Sequence, residues 1–313
     1  MRRLAILGVL MILVALPLFG GDSKVSGLVY MDYVFEDADN NEFGIRRAYL
    51  TYENKLSDNV AYKFQADVGA GTVSAYSVYI KNAKLDWKTS VGKVSLGMQG
   101  MNMFKIQEGN WGYRYIEKSP MDRNKFSSSA DLGIGWYNSF GALGTSVLVT
   151  NGGGYKKAEA DGHKKVSLQV FTGDAKLKEG FNAGVVLSYE GLDYGTDSTG
   201  STLVIGGFGG LRAGALKVGA EYDMRTVSKA SDVNSSIVSA YGTFTLKEKY
   251  DAFARVDMYD PDADTENDSE TWLIAGVIIN PEPGVSIAPN LRITTPEGQD
   301  AIIVYHVNFQ FKF

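Results

Sequence analysis

DAIIVYHVNFQFKF, residues 300–313, alternates without a break. Ile303, Tyr305, Val307, Phe309, Phe311 and Phe313 fall on one face; His306, Asn308, Gln310 and Lys312 fall on the other. A period of two is that of a β-strand whose faces meet different surroundings. The stretch stops on an aromatic ring, where the last strand of a water-soluble sandwich would run on into a polar tail.

Similar runs recur along the chain. In residues 59–69, Val60, Tyr62, Phe64, Ala66 and Val68 oppose Ala61, Lys63, Gln65 and Asp67. In residues 214–225, Leu216, Val218, Ala220, Tyr222 and Met224 oppose Lys217, Gly219, Glu221, Asp223 and Arg225. Further runs lie at 93–100, 130–138, 165–173, 181–190, 235–246, 250–260 and 284–293, and ambiguous ones at 145–151, 202–211 and 271–280. The pattern predicts about 16 strands, within the even-numbered range of transmembrane barrels.

Connection lengths sort by parity. Short turns fall near 56–59, 88–92, 139–144, 174–180, 212–215, 247–249 and 281–284. Longer polar segments fall between them, at 36–42, 101–126, 152–164, 191–200, 226–234 and 260–270. Short turns on one side of a membrane and long loops on the other are the asymmetry of a transmembrane barrel. The polar faces agree. They carry Arg47, Lys55, Lys63, Lys84, Lys93, Lys165, Lys217, Arg225, Arg255, Arg292 and Lys312, with Glu53, Asp67, Asp86, Asp131, Glu190, Glu221, Asp223, Asp251 and Asp257. A dry core would not bury so many ions at several kcal/mol each; a water-filled lumen accommodates them. Tyr52, Trp136, Tyr189 and Tyr222 stand near the ends of apolar faces, where aromatic girdles form.

Residues 1–20 have the form of a secretory signal peptide. Arg2 and Arg3 precede an apolar run from Leu4 to Phe19, broken at Pro17 and followed by Gly20 and Gly21. The expected division is therefore a signal peptide over 1–20 and a barrel over 21–313. Past the signal no run of 18 apolar residues remains, so a membrane-embedded chain has to be a closed sheet. There is no cysteine, hence no lipid anchor on a thiol, no disulfide and no thiolate metal site. Losing the two signal arginines takes 31 basic residues to 29 against 36 acidic ones, a net charge of −7 that argues against a nucleic-acid partner.

The last strand resembles the closing strand of bacterial outer-membrane β-barrels. That resemblance implies that Tyr305, Phe309, Phe311 and Phe313 form a signal for the barrel-assembly machinery. FGIRRAYL at 43–50, its continuation TYENKLSDNVAYKFQADVG to Gly69, and EGNWGYRYIEKSP at 108–120 resemble the phosphate-selective porin O and P family. This implies a homotrimer of sixteen-stranded barrels in the cell outer membrane, among lipid and lipopolysaccharide, with the third loop folded into the pore.

The segment 101–126 follows the fifth strand and is the longest connection, so it is the expected constriction. It offers Lys105, Glu108, Arg114, Glu117, Lys118, Asp122 and Arg123; the wall offers Arg47 and Lys63. Alternation points Arg47, Tyr49 and Thr51 inward, and would turn Arg46 outward unless a bulge near Ile45 intervenes. The wall cations and anions nearly balance, so the expected activity is passive diffusion of small hydrophilic solutes with mild ion preference. An anion or phosphate channel is the alternative if Arg47, Arg114 and Arg123 converge, and a plugged, non-conducting structural or adhesive barrel is another.

An enzyme is not expected. His163 and His306 are the only histidines, and neither pairs with a serine in a recognisable signature. DPDADTENDSE at 260–270 lacks the glycine and glutamate of a calcium loop, and no metal or other cofactor is expected.

Overall fold

In a computed structural model of the chain, which describes residues 22–70, 76–194 and 197–313, sixteen antiparallel strands close into one barrel. They are β1 (Asp22–Phe35), β2 (Asn41–Lys55), β3 (Val60–Ala70), β4 (Tyr76–Thr89), β5 (Gly92–Gly100), β6 (Ala130–Phe140), β7 (Leu143–Thr150) and β8 (Lys165–Gly173). There follow β9 (Gly180–Tyr194), β10 (Ser198–Ala213), β11 (Leu216–Ser228), β12 (Asp232–Lys247), β13 (Tyr250–Asp260), β14 (Glu270–Ile279), β15 (Val285–Pro296) and β16 (Ile302–Lys312). Each strand pairs with its sequence neighbours, and β16 closes on β1 with Phe311 opposite Val29 and Phe309 opposite Met31. No edge is left, since each strand is hydrogen-bonded to a neighbour on both sides, as lipid demands. The proposed signal segment lies outside the described residues. Among those described, no helix is long and apolar enough to cross a membrane.

The two faces separate as the alternation requires. Val78, Ile134, Val185, Tyr222, Met258 and Tyr305 are exposed on the outside, whereas Gln99, Ser167, Ser239, Asp257 and Asn308 are buried inside. Tyr305, Phe309, Phe311 and Phe313 share the outer face with their β1 partners. Two segments read as long loops, 191–200 and 226–234, are mostly strand: β9 and β10 run to Tyr194 and from Ser198, and β11 and β12 are joined by residues 229–231 alone. Their polar residues lie on strand ends where hydrogen-bonded backbone extends beyond the apolar band, so polarity did not mark a loop.

Besides a register shift at Leu246 next to the β12–β13 turn, two β-bulges interrupt the alternation within the wall. Tyr30 pairs with Arg47 while Met31 pairs with Ile45, so Arg46 is an extra residue on β2. Gln65 pairs with Asn82 while Ala66 pairs with Ile80, so Lys81 is an extra residue on β4. Each bulge turns two consecutive side chains to the lumen.

Candidate functional site: the pore constriction

The third extracellular-type connection, residues 101–129 (L3), enters the barrel. It carries α1 (Lys105–Trp111) and α2 (Pro120–Arg123). α1 ends at Gly112, whose φ of 81° lets the chain reverse and brings Tyr113 and Arg114 back across the lumen. The helix lies against β10 and β11, and α2 against β12. Two apolar clusters seat the loop. Trp111, Tyr115 and Ile116 pack with Tyr30, Tyr241, Phe253, Ile274, Ile278 and Ala288 of the wall. Met103, Phe104, Ile106, Met121 and Phe126 pack with Val186, Val204, Phe208 and Ile237. Trp111, Met103 and Met121 are wholly buried, and removing any one would cost about 2–5 kcal/mol of seating energy.

These contacts explain the ambiguous runs in the sequence. β10 and β14 are apolar on both faces because Val204, Phe208, Ile274 and Ile278 point inward beneath L3. β7 turns the fully buried Leu148 inward. Loss of clean alternation therefore marks the wall that the loop covers.

Wall cations hold the loop's main chain. Lys217 Nζ donates to the Trp111 carbonyl (3.2 Å), Arg292 to Ile116 (2.6 Å), Arg255 to Lys118 (2.6 Å) and Arg225 to Lys125 (3.3 Å). Arg255 is fully buried and also grips Asp257 at 2.6 Å. Asn110 and Asn182 exchange two hydrogen bonds of 2.8 Å. Four cations read in the sequence as lumen charge thus secure L3, because an extended loop leaves carbonyls without helical or sheet partners.

Two cavities lie on either side of L3 and meet at Tyr30 and Arg114, which line both. The inner one, of about 850 Å³, opens toward the short turns. It is lined by Lys55, Lys63, Lys81, Lys84, Lys88, Lys93, Lys105 and Arg114 against Glu53, Asp58, Asp86 and Glu108. The outer one, of about 700 Å³, is lined by Arg46, Arg47, Arg114, Lys118, Lys156 and Arg292 against Asp32, Glu42 and Glu117. The near-balance expected from the wall does not survive. Of the eleven wall cations named above, Arg47, Lys55, Lys63, Lys84, Lys93 and Arg292 face these cavities; of the nine wall anions, only Glu53 and Asp86 do. L3 leans on β9–β15 and separates Glu221, Asp223 and Asp257 from the open space.

Arg114 donates to both Glu108 and Asp122, the latter at 2.7 Å. Burial alone would lower its pKa, but the two carboxylates outweigh it and hold the guanidinium well above its ordinary value. Burial likewise pushes the Asp122 carboxyl up, and Arg114 overrides it to hold the group below the usual 3.8. Lys105 and Lys118 are both pushed down, chiefly by burial.

The fourth connection, residues 151–164 (L4), also reaches inward, which the sequence did not reveal. Its Tyr155 hydroxyl donates to Asp67 at 2.7 Å and accepts from Arg47 at 2.7 Å, and Arg47 bonds Asp67 at 2.5 Å. Lys81 lies 3.9 Å over the Tyr155 ring and donates to Ser129 Oγ. Arg46, turned inward by its bulge, meets Asp32 at 2.6 Å.

The residues predicted for the site divide. Arg47, Lys63, Lys105, Glu108, Arg114, Glu117 and Lys118 line the cavities. Asp122 lines neither and acts through Arg114. Arg123 does not converge with Arg47 and Arg114: its guanidinium stacks 3.0 Å over Trp272 and meets Glu270 at 3.1 Å. The amphipathic stem finds an aromatic face and a carboxylate on the wall, which a lumen-centred position would not offer. The bulge near Ile45 that would bring Arg46 inward is present, whereas Lys81, Tyr155 and Lys156 were missed, since neither the β4 bulge nor the path of L4 leaves a periodic trace. Among the described residues, no three His, Cys, Asp or Glu side chains group to hold a metal.

No family model matches the chain, and no curated protein sequence matches it. Solved structures do resemble it. The trimer form of OmpT, an outer membrane protein of Vibrio cholerae, is 12% identical with a TM-score of 0.73, the match covering 94% of this chain and 100% of that one. The anion-selective porin from Comamonas acidovorans is 13% identical with a TM-score of 0.73 over the same shares. The outer membrane channel DcaP of Acinetobacter baumannii is 13% identical with a TM-score of 0.68, covering 94% and 98%. The fold is that of the bacterial outer-membrane porins. These likenesses carry the general porin fold and not membership of the phosphate-selective O and P family.

Proposed function

We propose that this barrel is a passive diffusion channel of the outer membrane that admits small hydrophilic solutes and favours anions. The observation that carries the reading is the excess of cations around the two cavities that meet at Tyr30 and Arg114. Inside a narrow, partly desolvated passage, nearby charge outweighs the negative field of the whole molecule. The porin fold and the anion-selective porin among its structural neighbours are consistent with it. A tight phosphate site is the weaker reading, because the arginines around the passage are already engaged by carboxylates. Assembly as a homotrimer and recognition of Tyr305, Phe309, Phe311 and Phe313 by the barrel-assembly machinery belong to the same proposal.

Planar bilayers holding the purified protein test the reading. Open-pore steps are expected, with a reversal potential in a KCl gradient that shows chloride more permeant than potassium. Silent bilayers would instead support a plugged barrel, and a potassium preference would refute anion selectivity.

A further inference from the structure

The cations around the passage fall into two chemically distinct sets. The four arginines that line the cavities each meet a carboxylate: Arg46 with Asp32 at 2.6 Å, Arg47 with Asp67 at 2.5 Å, Arg114 with Asp122 at 2.7 Å and Arg292 with Glu117 at 2.9 Å. Inner-cavity lysines of the wall are also matched, Lys63 by Glu53 at 3.1 Å and Lys84 by Asp86 at 2.7 Å. Lys81, Lys105, Lys118 and Lys156 make no ion pair among the described residues, and neither does Lys88 at the inner rim. Lys118 and Lys156 face the outer cavity, and Lys81 and Lys105 the inner one.

We propose that Lys81, Lys105, Lys118 and Lys156, and not the arginines around them, make the transient contacts that select and pass anions. The assignment rests on the anion reading above and names the residues that carry it out. A guanidinium with a carboxylate against it presents little net charge to a passing ion, so it acts as framework. An unpaired ammonium has no adjacent carboxylate to cancel its charge, and its flexible stem lets it follow a passing ion. Conduction needs attraction strong enough to admit an ion and weak enough to release it, which several separate point charges provide better than one converging cluster. Lys81 owes its place to the β4 bulge. It is 8% exposed, lies over the Tyr155 ring and touches only the neutral Ser129 hydroxyl among its donor contacts. Desolvation inside the barrel lowers the pKa of Lys105, Lys118 and Lys156, yet Lys105 and Lys156 are exposed and Lys118 half-buried, so these ammonium groups reach the open lumen with no carboxylate within ion-pair distance.

The test uses the full chain in planar bilayers with a KCl gradient, and heat-modifiable gel mobility to show that each variant is folded. The triple variant K105Q/K118Q/K156Q should lower the chloride-to-potassium permeability ratio roughly threefold while keeping open-pore steps, and adding K81M should bring the ratio near one. If K81M does not fold, the triple variant decides. Amine acetylation of the wild type should reproduce the loss, since it spares guanidinium groups. A chloride preference that survives the triple variant and acetylation would overturn the lysine assignment alone. So would collapse of the preference in R46Q/D32N, which removes one charge of each sign, while the lysine variants keep it. A wild-type channel with no chloride preference would overturn the anion reading and the assignment together.

Discussion

Phe313 and Gly27 close the barrel together. They exchange both backbone hydrogen bonds, Gly27 N to Phe313 O at 2.9 Å and Phe313 N to Gly27 O at 3.1 Å. The Phe313 ring lies across Gly27 in the space a side chain would fill, while most of the ring stays exposed on the outer face. The seam between β1 and β16 therefore depends on the absence of a Cβ at one residue and the presence of a ring at its partner. Replacing Gly27 by Leu should push the ring away and cost about 1–3 kcal/mol. The temperature at which the band shifts on a heat-modifiability gel should fall, and an unchanged temperature would disprove the packing role.

The Phe313 ring itself bears on assembly. Replacing it with Asp should reduce the amount of barrel reaching the membrane more than it lowers the stability of barrel refolded in detergent. Equal losses in both measurements would assign the ring to stability and not to assembly.

Trp111 holds L3 to the wall between Tyr241 and Phe253. Trp111→Ala should loosen the loop by about 3–5 kcal/mol. Single-channel records should show larger, noisier steps with the sixteen-stranded barrel intact by circular dichroism. Quiet steps of wild-type size would mean that the loop is held by its carbonyl clamps alone.

Asp67 neutralises Arg47 and accepts from Tyr155. Asp67→Asn keeps a hydrogen-bonding side chain but adds one net positive charge to the passage. The chloride-to-potassium ratio should rise by a factor of about two, with conductance nearly preserved. A fall in the ratio would show that Arg47, once released, leaves the lumen.

The pH dependence has opposite limbs. Asp122 is held below the ordinary carboxyl value of 3.8 in the folded barrel, chiefly by Arg114 acting against burial. Its stabilising contribution is fully present above 3.8 and is lost only as pH falls through the lower folded value. L3 should accordingly stay seated, and conductance steady, from neutral pH down to that range. Burial sets the pKa values of Lys105, Lys118 and Lys156 below the ordinary 10.5. A base with a lowered pKa loses its proton sooner as pH rises, so chloride preference should weaken before ordinary lysines titrate. Conductance and reversal potentials taken from about pH 2 to pH 10 would follow both limbs, and a preference flat to the alkaline end would contradict the second.

Much of the site was legible without coordinates. L3 announced itself by length and by its position after the fifth strand. Arg47, Lys63, Lys105, Arg114 and Lys118 followed from alternation and loop composition, and all five line the passage. The ambiguous runs at 202–211 and 271–280 held a further signal, since inward Phe208 and Ile274 foretell something apolar lying on that wall. Arg123 misled because a charge in a pore loop can as readily stack on Trp272 as face water.

Local chemistry determined the strands, their facing and the parity of their connections, because each depends on neighbouring residues meeting lipid or water in a period of two. Tertiary structure alone decided which charges reach the passage. A bulge arises from the register of two paired strands, so Arg46 and Lys81 turn inward only once β1 meets β2 and β3 meets β4. The pairing of arginines with distant carboxylates, and the covering of Glu221 and Asp223 by a loop more than 90 residues earlier in the chain, are long-range events. A net charge counted along the sequence weighs every ion equally, whereas a permeating solute responds to those the fold leaves unpaired beside its path.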